Sequence, residues 1–174
     1  MAFNPQDNDG NVDSANSYVS VATVRAYWAD RGVDLTAKTD TEVQVAAVKA
    51  TDYLDARYKW VGYQLRRLQG TQWPRGGVSS FLRGLPPALT SAACMMAQRA
   101  FTKELIPDPT FDPSGQKVQE STKKVGPIEV SLKFAESSGA GGAAASVPDY
   151  PEVTLMLQAA GLVGSGNSGE LGRA

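Results

Sequence analysis

Four arginines and three aromatic side chains share one stretch of the chain, and together they suggest macromolecular recognition. The stretch covers residues 62–84, GYQLRRLQGTQWPRGGVSSFLRG. A site that stacks bases of single-stranded nucleic acid needs aromatic rings interleaved with cations. The residues of that kind here are Arg66, Arg67, Arg75, Arg83, Tyr63, Trp73 and Phe81. A loop that pins helices or meets a partner subunit explains the same residues, since guanidinium groups also bind carboxylates and carbonyls. We favour the ordered loop.

The tripeptide Trp73-Pro74-Arg75 is the most distinctive feature of this stretch. Proline keeps the preceding residue out of the helical region of backbone conformation. We therefore expect the Trp73 indole to insert into the core, while Arg75 remains to make a polar contact.

The residue types of the chain give little indication of a catalytic site. The chain contains no histidine, which removes the usual general base and the usual metal ligand. Cys94 is the single cysteine and cannot form an internal disulfide. Its helical surroundings, SAACMMAQRA, favour a small buried apolar role over that of a nucleophile. We do not expect an enzyme.

Two short motifs resemble ligand loops but lack the required partners. Aligning Gly10 with the invariant glycine of a calcium loop places Pro5 at the first ligand position and Asn16 where a bidentate glutamate is needed. Residues 139–144 match a dinucleotide-binding GxGxxA, but Pro148 interrupts the helix that should follow. We predict neither a metal nor a cofactor.

Length and composition favour one soluble domain with extensions, or at most one domain and a small satellite. The chain has 174 residues, 42% hydrophobic and 20% charged, with a formal net charge of −1. This balance gives no global attraction to nucleic acid or membrane surfaces. No apolar run approaches the ~18 residues of a membrane-spanning helix, and MAFNPQDNDG does not resemble a signal peptide. We expect an intracellular product.

Hydrophobic periodicity predicts a mainly α protein with three to four helices. The longest helix is expected over 39–61, opened by a capping box between Thr39 and Glu42. Ser20 is predicted to cap a helix over 21–31, which Gly32 would end. The third is predicted from Pro86 and Pro87 to about Leu105, and the last follows a cap at Asp149 and ends at Gly161.

The spacing of apolar residues changes from a helical period to strict alternation near residue 118. Ile128, Val130, Leu132 and Phe134 alternate with polar residues, which is typical of a strand with one buried face. We predict a β-hairpin over about 117–134 with its turn at residues 125–127.

The expected organisation is a small helical bundle with an inserted β-hairpin and extended arms. It comprises a flexible N-terminal arm (1–16), ordered only by contact with something else, the bundle with its hairpin (17–134), a Gly/Ala/Ser linker (135–147), a short C-terminal helix (148–160) and a tail (161–174). A turn of helix at 64–68 is the most we expect within the loop.

Several short motifs give the chain a resemblance to a known family. They are Asn16-Ser17-Tyr18-Val19-Ser20, Ala50-Thr51-Asp52-Tyr53-Leu54-Asp55, Trp73-Pro74-Arg75 and Lys124-Val125-Gly126-Pro127-Ile128. In these four motifs the chain resembles the head-to-tail adaptor (connector) proteins of tailed bacteriophages. This group is often labelled DnaT-like single-stranded-DNA-binding proteins. The resemblance spans about residues 16–160.

The resemblance implies a structural virion protein made in the host cytoplasm. Its subunits would form a ring, a dodecamer, below the portal protein, extend the channel for packaged double-stranded DNA and offer a platform for the next tail or head-completion protein. The portal interface would fall in the tail, at Leu162, Val163, Glu170, Leu171 and Arg173.

Two further sets of candidate residues follow from the motifs. The subunit or tail interface is expected at Trp73, Arg75, Val125, Ile128 and Val130. The candidate DNA-facing residues are Arg66, Arg67, Lys123 and Lys124. The alternative function is single-stranded-DNA binding in phage replication, in which these cations and Arg75 would bind phosphates while Tyr63 and Trp73 stack bases.

Overall fold

The computed structural model describes residues 2–107, 120–125, 128–133 and 147–164. The chain divides into two compact units, Met1–Leu105 with Asp149–Ala174, and Ile106–Pro148. The first unit holds four helices: α1 Val21–Ala29, α2 Asp40–Arg57, α3 Pro87–Ala100 and α4 Pro151–Ala159. The second holds a β-hairpin. The predicted fold class, mainly α with an inserted hairpin, is confirmed.

Helices α2 and α3 form the centre of the first unit, because they pack against each other and α1 contacts both, while α4 packs on α3. Its apolar stripe supplies Val43, Ala46, Ala47, Ala50 and Leu54, all buried. The small alanines allow close approach of α3, whose own buried face includes Leu89, Ala93 and Met96. Burying one large side chain contributes roughly 1.5–3 kcal/mol, so this interface anchors the unit.

The predicted helix starts are largely confirmed. Thr39 accepts a hydrogen bond from the Glu42 amide, and the Glu42 carboxylate accepts one from the Thr39 amide at 2.8 Å, which completes the capping box. Ser20 caps α1 by accepting from the Thr23 amide at 3.1 Å. The predicted cap at Asp149 is wrong by one residue, because Tyr150 occupies that position without a side-chain bond.

Three helices end earlier than predicted. Helix α2 ends at Arg57 rather than near residue 61, because Tyr58 adopts an extended conformation. Trp60 and Val61, which were expected in this helix, instead contact the C-terminal part of the unit. Trp60 pairs with Val163, and the Val61 amide donates to the Leu162 carbonyl at 3.1 Å. Helix α1 ends at Ala29, before the expected residue 31, and α3 ends at Ala100, before residue 105.

The loop between α2 and α3 contains short regular segments. Strands β1, Tyr63–Gln64, and β2, Arg75–Gly76, pair antiparallel, and a 3-10 turn covers Ser80–Leu82. The turn of helix expected at 64–68 is therefore wrong at Gln64, because this residue belongs to strand β1.

The N-terminal segment contacts the body of the first unit. Pro5 pairs with Ser17, and the Gln6 amide donates to the Ser17 carbonyl at 2.8 Å. The Gln6 side chain is buried and donates to Thr71 in the loop. The contact that orders residues 2–16 is thus supplied by the same chain.

The predicted hairpin of the second unit is confirmed, except that Val125, expected in the turn, ends the first strand. Strand β3, Glu120–Val125, pairs antiparallel with β4, Ile128–Lys133, and Val125 stands opposite Ile128. The predicted turn residues Gly126 and Pro127, most of the predicted linker and the end of the predicted tail lie outside the described residues. No helix in the described ranges has the length and apolar character required to span a membrane.

Candidate protein-interaction surface

A partly buried carboxylate fastens the loop to the helical core. Asp55 lies near the end of α2 and accepts hydrogen bonds from three neutral donors. These are the Tyr18 hydroxyl, the Trp60 indole N–H at 3.2 Å and the Gln72 amide at 3.1 Å. The Tyr18 oxygen in turn accepts from the Trp73 amide at 3.2 Å. The N-terminal segment, α2 and the loop are therefore joined at one point.

Burial raises the pKa of the Asp55 carboxyl to about 6, against the opposing effect of its three donors. Burial also raises the pKa of Tyr18 well above its ordinary value, and the adjacent Asp55 charge adds to that rise. Taking a carboxylate out of water without a cation in contact is costly unless its lone pairs are hydrogen-bonded. The three donors meet that requirement here.

Three of the motifs that carry the family resemblance meet at this cluster. Tyr18 belongs to the first motif, Asp55 to the second and Trp73 to the third. The first two motifs touch again where the Tyr18 amide donates to the Thr51 hydroxyl at 3.1 Å. The motifs therefore share a physical role in building the base of the loop.

Trp73 and Arg75 support the loop from inside, as the Trp-Pro-Arg sequence predicted. Trp73 has no exposed surface and meets Trp60 edge to face at 6.1 Å between ring centroids. Arg75 donates to the Val61 carbonyl at 2.6 Å and the Gly62 carbonyl at 2.7 Å. The burial of Trp73 does not fit the direct role in a subunit or tail interface that the sequence suggested for it, whereas that role for the partly exposed Arg75 remains a prediction.

Glycines let the N-terminal segment lie directly against the loop. A Cβ atom on Gly70 would stand 2.1 Å from the Ala15 carbonyl oxygen, so only glycine fits there. Next to it, the buried Gln69 side chain donates to the Thr71 and Pro74 carbonyls, each at 2.9 Å. The backbone of the loop is thus held on both sides.

The outer side of this loop is unusually apolar for an exposed segment. We call it the loop surface and define it by four exposed apolar residues and three exposed arginines. The apolar members, with their exposed fractions, are Tyr63 (64%), Leu65 (48%), Leu68 (68%) and Phe81 (91%). The arginines are Arg66, Arg67 and Arg83. Both DNA-facing candidates of the loop, Arg66 and Arg67, thus lie at the surface.

Acidic residues of the N-terminal segment balance these arginines. Arg66 donates to the Asp9 carbonyl at 3.2 Å, which places this segment beside the loop surface. The Asp7 carboxylate accepts from the Asp9 amide at 3.0 Å and the Asn11 amide at 2.8 Å. The latter bond is the largest cause of the lowered pKa of Asp7.

The Tyr63 ring rests on a glycine pair. Cβ atoms on Gly76 and Gly77 would stand 2.7 Å and 2.8 Å from ring carbons of Tyr63. Gly77 also has φ of +69°, a conformation that favours glycine. The exposed ring is therefore held flat against the backbone of the loop.

Two of the predicted portal residues are part of the core. Leu162 and Val163 are buried, and both pair with the segment that follows α2. The role suggested for them in a portal interface does not fit this burial. Glu170, Leu171 and Arg173 lie outside the described residues.

For the candidate site residues in the hairpin, the structure describes only the pairing of the backbone. Lys123 and Lys124 in β3 stand opposite Val130 and Glu129 in β4, and Val125 and Ile128 close the hairpin. The prediction that this hairpin contributes to an interface remains a prediction.

The remaining chemical candidates have structural roles where they are described. Burial raises the pKa of the Cys94 thiol to about 12, which disfavours the reactive thiolate. Asp7, part of the faint calcium motif, is engaged with backbone amides. No group of three or more potential metal ligands occurs within the described residues.

The fold and this surface define a class: a small helical protein with an exposed, arginine-containing apolar loop braced by a partly buried carboxylate. The family model described as "Putative DnaT-like ssDNA binding protein" matches residues 2–174, and the chain belongs to that family. Searches of curated proteins and of solved structures gave no match.

Proposed function

We propose that the chain is a structural virion protein, a head-to-tail adaptor that forms a ring below the portal. The ring extends the DNA channel and provides the platform for tail attachment. The observation that carries this proposal is the loop surface, where large apolar side chains stand exposed on a braced loop. Exposed apolar patches with polar rims are typical of protein–protein contact sites.

The side-chain types on the loop surface favour a protein partner over nucleic acid. Leu65 and Leu68 flank Arg66 and Arg67, and leucine offers apolar contact area but no ring for base stacking. Trp73, the strongest stacking candidate in the sequence, is buried. The exposed residues of the loop surface are apolar side chains next to arginines, a combination that suits a protein interface.

The charge balance fits a channel component. The chain carries a formal net charge of −1, and Asp7 and Asp9 accompany the arginines of the loop surface. A strongly basic channel lining would retain packaged DNA by releasing its counterions. In a ring, many copies of a modest contact add up by avidity.

Native mass spectrometry of the chain, alone and mixed with the portal ring of the phage that the proposal implies, tests the proposal. We expect the portal to shift to a larger species that carries many copies of the chain. A portal that keeps its own mass at micromolar chain concentrations would contradict the adaptor role.

The C-terminal tail can be tested in the same assay. A deletion of residues 161–174 would remove the buried Leu162 and Val163 and so damage the core. Deletion of 165–174 spares both and removes Glu170, Leu171 and Arg173. We expect this shorter deletion to abolish portal attachment while the helical content measured by circular dichroism is unchanged.

Single-stranded-DNA binding is the second candidate function. The family description and the exposed rings of Tyr63 and Phe81 beside three arginines favour it. The expected signature is binding to a labelled oligonucleotide that weakens steeply with salt. Replacing Arg66 and Arg67 with Gln should then reduce the salt slope by about one per lost phosphate contact. Because Trp60 and Trp73 are buried, anisotropy of the oligonucleotide is the better readout than tryptophan fluorescence.

A further inference from the structure

The loop surface is built from two halves that are separated in the sequence. The first half, residues 63–68, is held at the base of the loop, because the Leu65 amide donates to the Pro74 carbonyl at 3.2 Å. The second half, residues 78–85, carries Phe81, the most exposed apolar side chain of the loop surface. The backbone hydrogen bonds of the second half run within its 3-10 turn, so they do not fix its position against the first half.

Two consecutive residues of the N-terminal segment join these halves. The Leu85 amide donates to the side-chain oxygen of Asn8 at 3.0 Å. Within the described part of the chain, this is the one hydrogen bond that ties residues 78–85 to another segment. The next residue, Asp9, accepts from the Arg66 side chain of the first half through its carbonyl at 3.2 Å. The pair therefore bridges the loop surface from below.

The turn that carries this bridge is closed on itself and seated on the loop. The Asp7 carboxylate accepts from the Asn11 amide at 2.8 Å, which closes the turn. Gly10 is buried and has φ of +70°, a conformation that favours glycine. A Cβ atom there would stand 3.1 Å from the Gln69 side-chain oxygen and 3.2 Å from Pro74 Cγ. A larger residue would therefore push the turn away from the loop.

The bridge can open at low cost. Asn8 and Asp9 are exposed, and so are their two hydrogen bonds to the loop. An exposed hydrogen bond is exchanged for bonds to water with little net change in free energy. The hydrogen bonds of the Asp55 cluster at the base of the loop are more buried. The two halves can therefore separate while the helices stay folded.

We propose that residues 7–11 act as a strap that assembles the loop surface. With the strap closed, the two halves form one apolar surface with arginines beside it. With the strap open, Phe81 moves independently of Leu68. A partner that binds the assembled surface favours the closed strap, and closure favours binding by the same factor. This inference rests on the proposed use of the loop surface as a contact site and adds a control over that site.

The distance between two spin labels tests the strap itself. The labels are attached to the full chain at Leu68→Cys and Phe81→Cys, one on each half, and their separation is measured by pulsed electron paramagnetic resonance. Cys94 is buried with a raised thiol pKa and stays unlabelled. We expect one narrow distance distribution when the strap is intact. Asn8→Ala should broaden it at least about twofold, and Gly10→Ala should do the same without removing a polar group.

Asp13 supplies the matched control. It is an exposed residue of the same segment, and its side chain makes no hydrogen bond within the described residues. Asp13→Ala should leave the distribution narrow, and circular dichroism should show the same helical content in all three variants. A distribution that stays narrow in Asn8→Ala and Gly10→Ala overturns the strap. Equal broadening by Asp13→Ala overturns it as well.

The coupling between strap and partner is measured on the unlabelled chain with the portal ring of the implied phage. Adding the portal should slow hydrogen exchange of the Leu85 amide, since binding selects the closed strap. Asn8→Ala should raise the chain concentration that half-saturates the portal about fivefold, because only the closed fraction binds. Asp13→Ala should leave that concentration unchanged.

The outcomes separate the strap from the proposed function. Narrow distances in every variant, with normal attachment to the portal, overturn the strap and leave the adaptor role intact. Broadened distances with unchanged attachment overturn the coupling. A wild-type chain that does not attach to the portal contradicts the proposed function and with it the coupling, whereas the strap is decided by the spin-label distances alone.

Discussion

The Tyr18 hydroxyl donates a hydrogen bond to the partly buried Asp55 carboxylate, and the same oxygen accepts from the Trp73 amide. One phenol group therefore links the N-terminal segment, helix α2 and the loop. The loop surface depends on this link, because Gln72 and Trp73 hold the base of the loop through it.

Replacing Tyr18 with Phe should destabilise the protein. The change removes one donor from Asp55 and leaves the buried Trp73 amide without its acceptor. Unsatisfied buried groups cost about 1–3 kcal/mol each, so we expect a loss of roughly 2–4 kcal/mol in the free energy of unfolding measured with urea. Tyr63→Phe, at an exposed ring, is the control and should change it by less than about 0.5 kcal/mol. Equal effects at both positions would contradict the role given to Tyr18.

Stability should fall as the pH rises from about 4 to about 6. Folding raises the pKa of Asp55 from its ordinary 3.8 to about 6. In that window the folded chain keeps a proton that the unfolded chain has released, so raising the pH favours unfolding. The full contribution is on the order of 3 kcal/mol, present below about pH 4 and lost above about pH 6.

Urea unfolding of the wild type and of Asp55→Asn at several pH values isolates this contribution. Asp52 shifts in the same direction and Asp7, Asp34 and Glu42 shift oppositely, but all four remain in both proteins. The variant should therefore show a flatter or rising stability over pH 4–6. Parallel pH profiles for the two proteins would show that Asp55 does not titrate as described.

Arg75→Lys should loosen the loop without unfolding the helices. Lysine cannot reproduce the fork that spans the Val61 and Gly62 carbonyls and the Gln72 carbonyl. We expect hydrogen exchange of the Leu65 amide, which bonds to the Pro74 carbonyl, to accelerate at least about tenfold while α3 amides stay protected. Arg67→Lys, at an exposed position, provides the comparison and should leave the exchange pattern unchanged. No change in loop exchange for Arg75→Lys would rule out this bracing role.

Thr39→Ala should weaken the start of α2. It removes the side-chain acceptor of the Glu42 amide and with it half of the capping box. Loss of such a cap costs about 0.5–2 kcal/mol, measurable as a lower midpoint of thermal unfolding. Thr41→Ala lies within the first turn and has no capping role, so it should have little effect. A larger effect of Thr41→Ala than of Thr39→Ala would overturn the assignment.

The elements that the sequence predicted well are those determined by local patterns. The Thr39–Glu42 capping box, the Ser20 cap and the alternation in β4 each involve residues within a few positions of one another. Local periodicity and capping chemistry are sufficient for such features. The helix count and the hairpin followed from them.

The features that the sequence did not predict depend on residues far apart in the chain. Helix α2 ends early because Trp60 and Val61 pair with Val163 and Leu162, about a hundred positions away. The Asp55 cluster likewise joins three separate motifs, and no spacing rule connects them. Leu65 and Leu68 lie on no periodic stripe, so their exposure could be seen only once the loop was placed.

Tail joining in phage particles tests the central claim most directly. The proposal implies a phage that encodes this chain. The gene would be deleted from that phage, and the purified protein added back to the heads that accumulate. The adaptor role predicts DNA-filled heads without tails, and recovery of tailed, infectious particles on addition of the wild-type protein. Normal tailed particles from the deletion, together with reduced phage DNA synthesis, would contradict it and support single-stranded-DNA binding in replication.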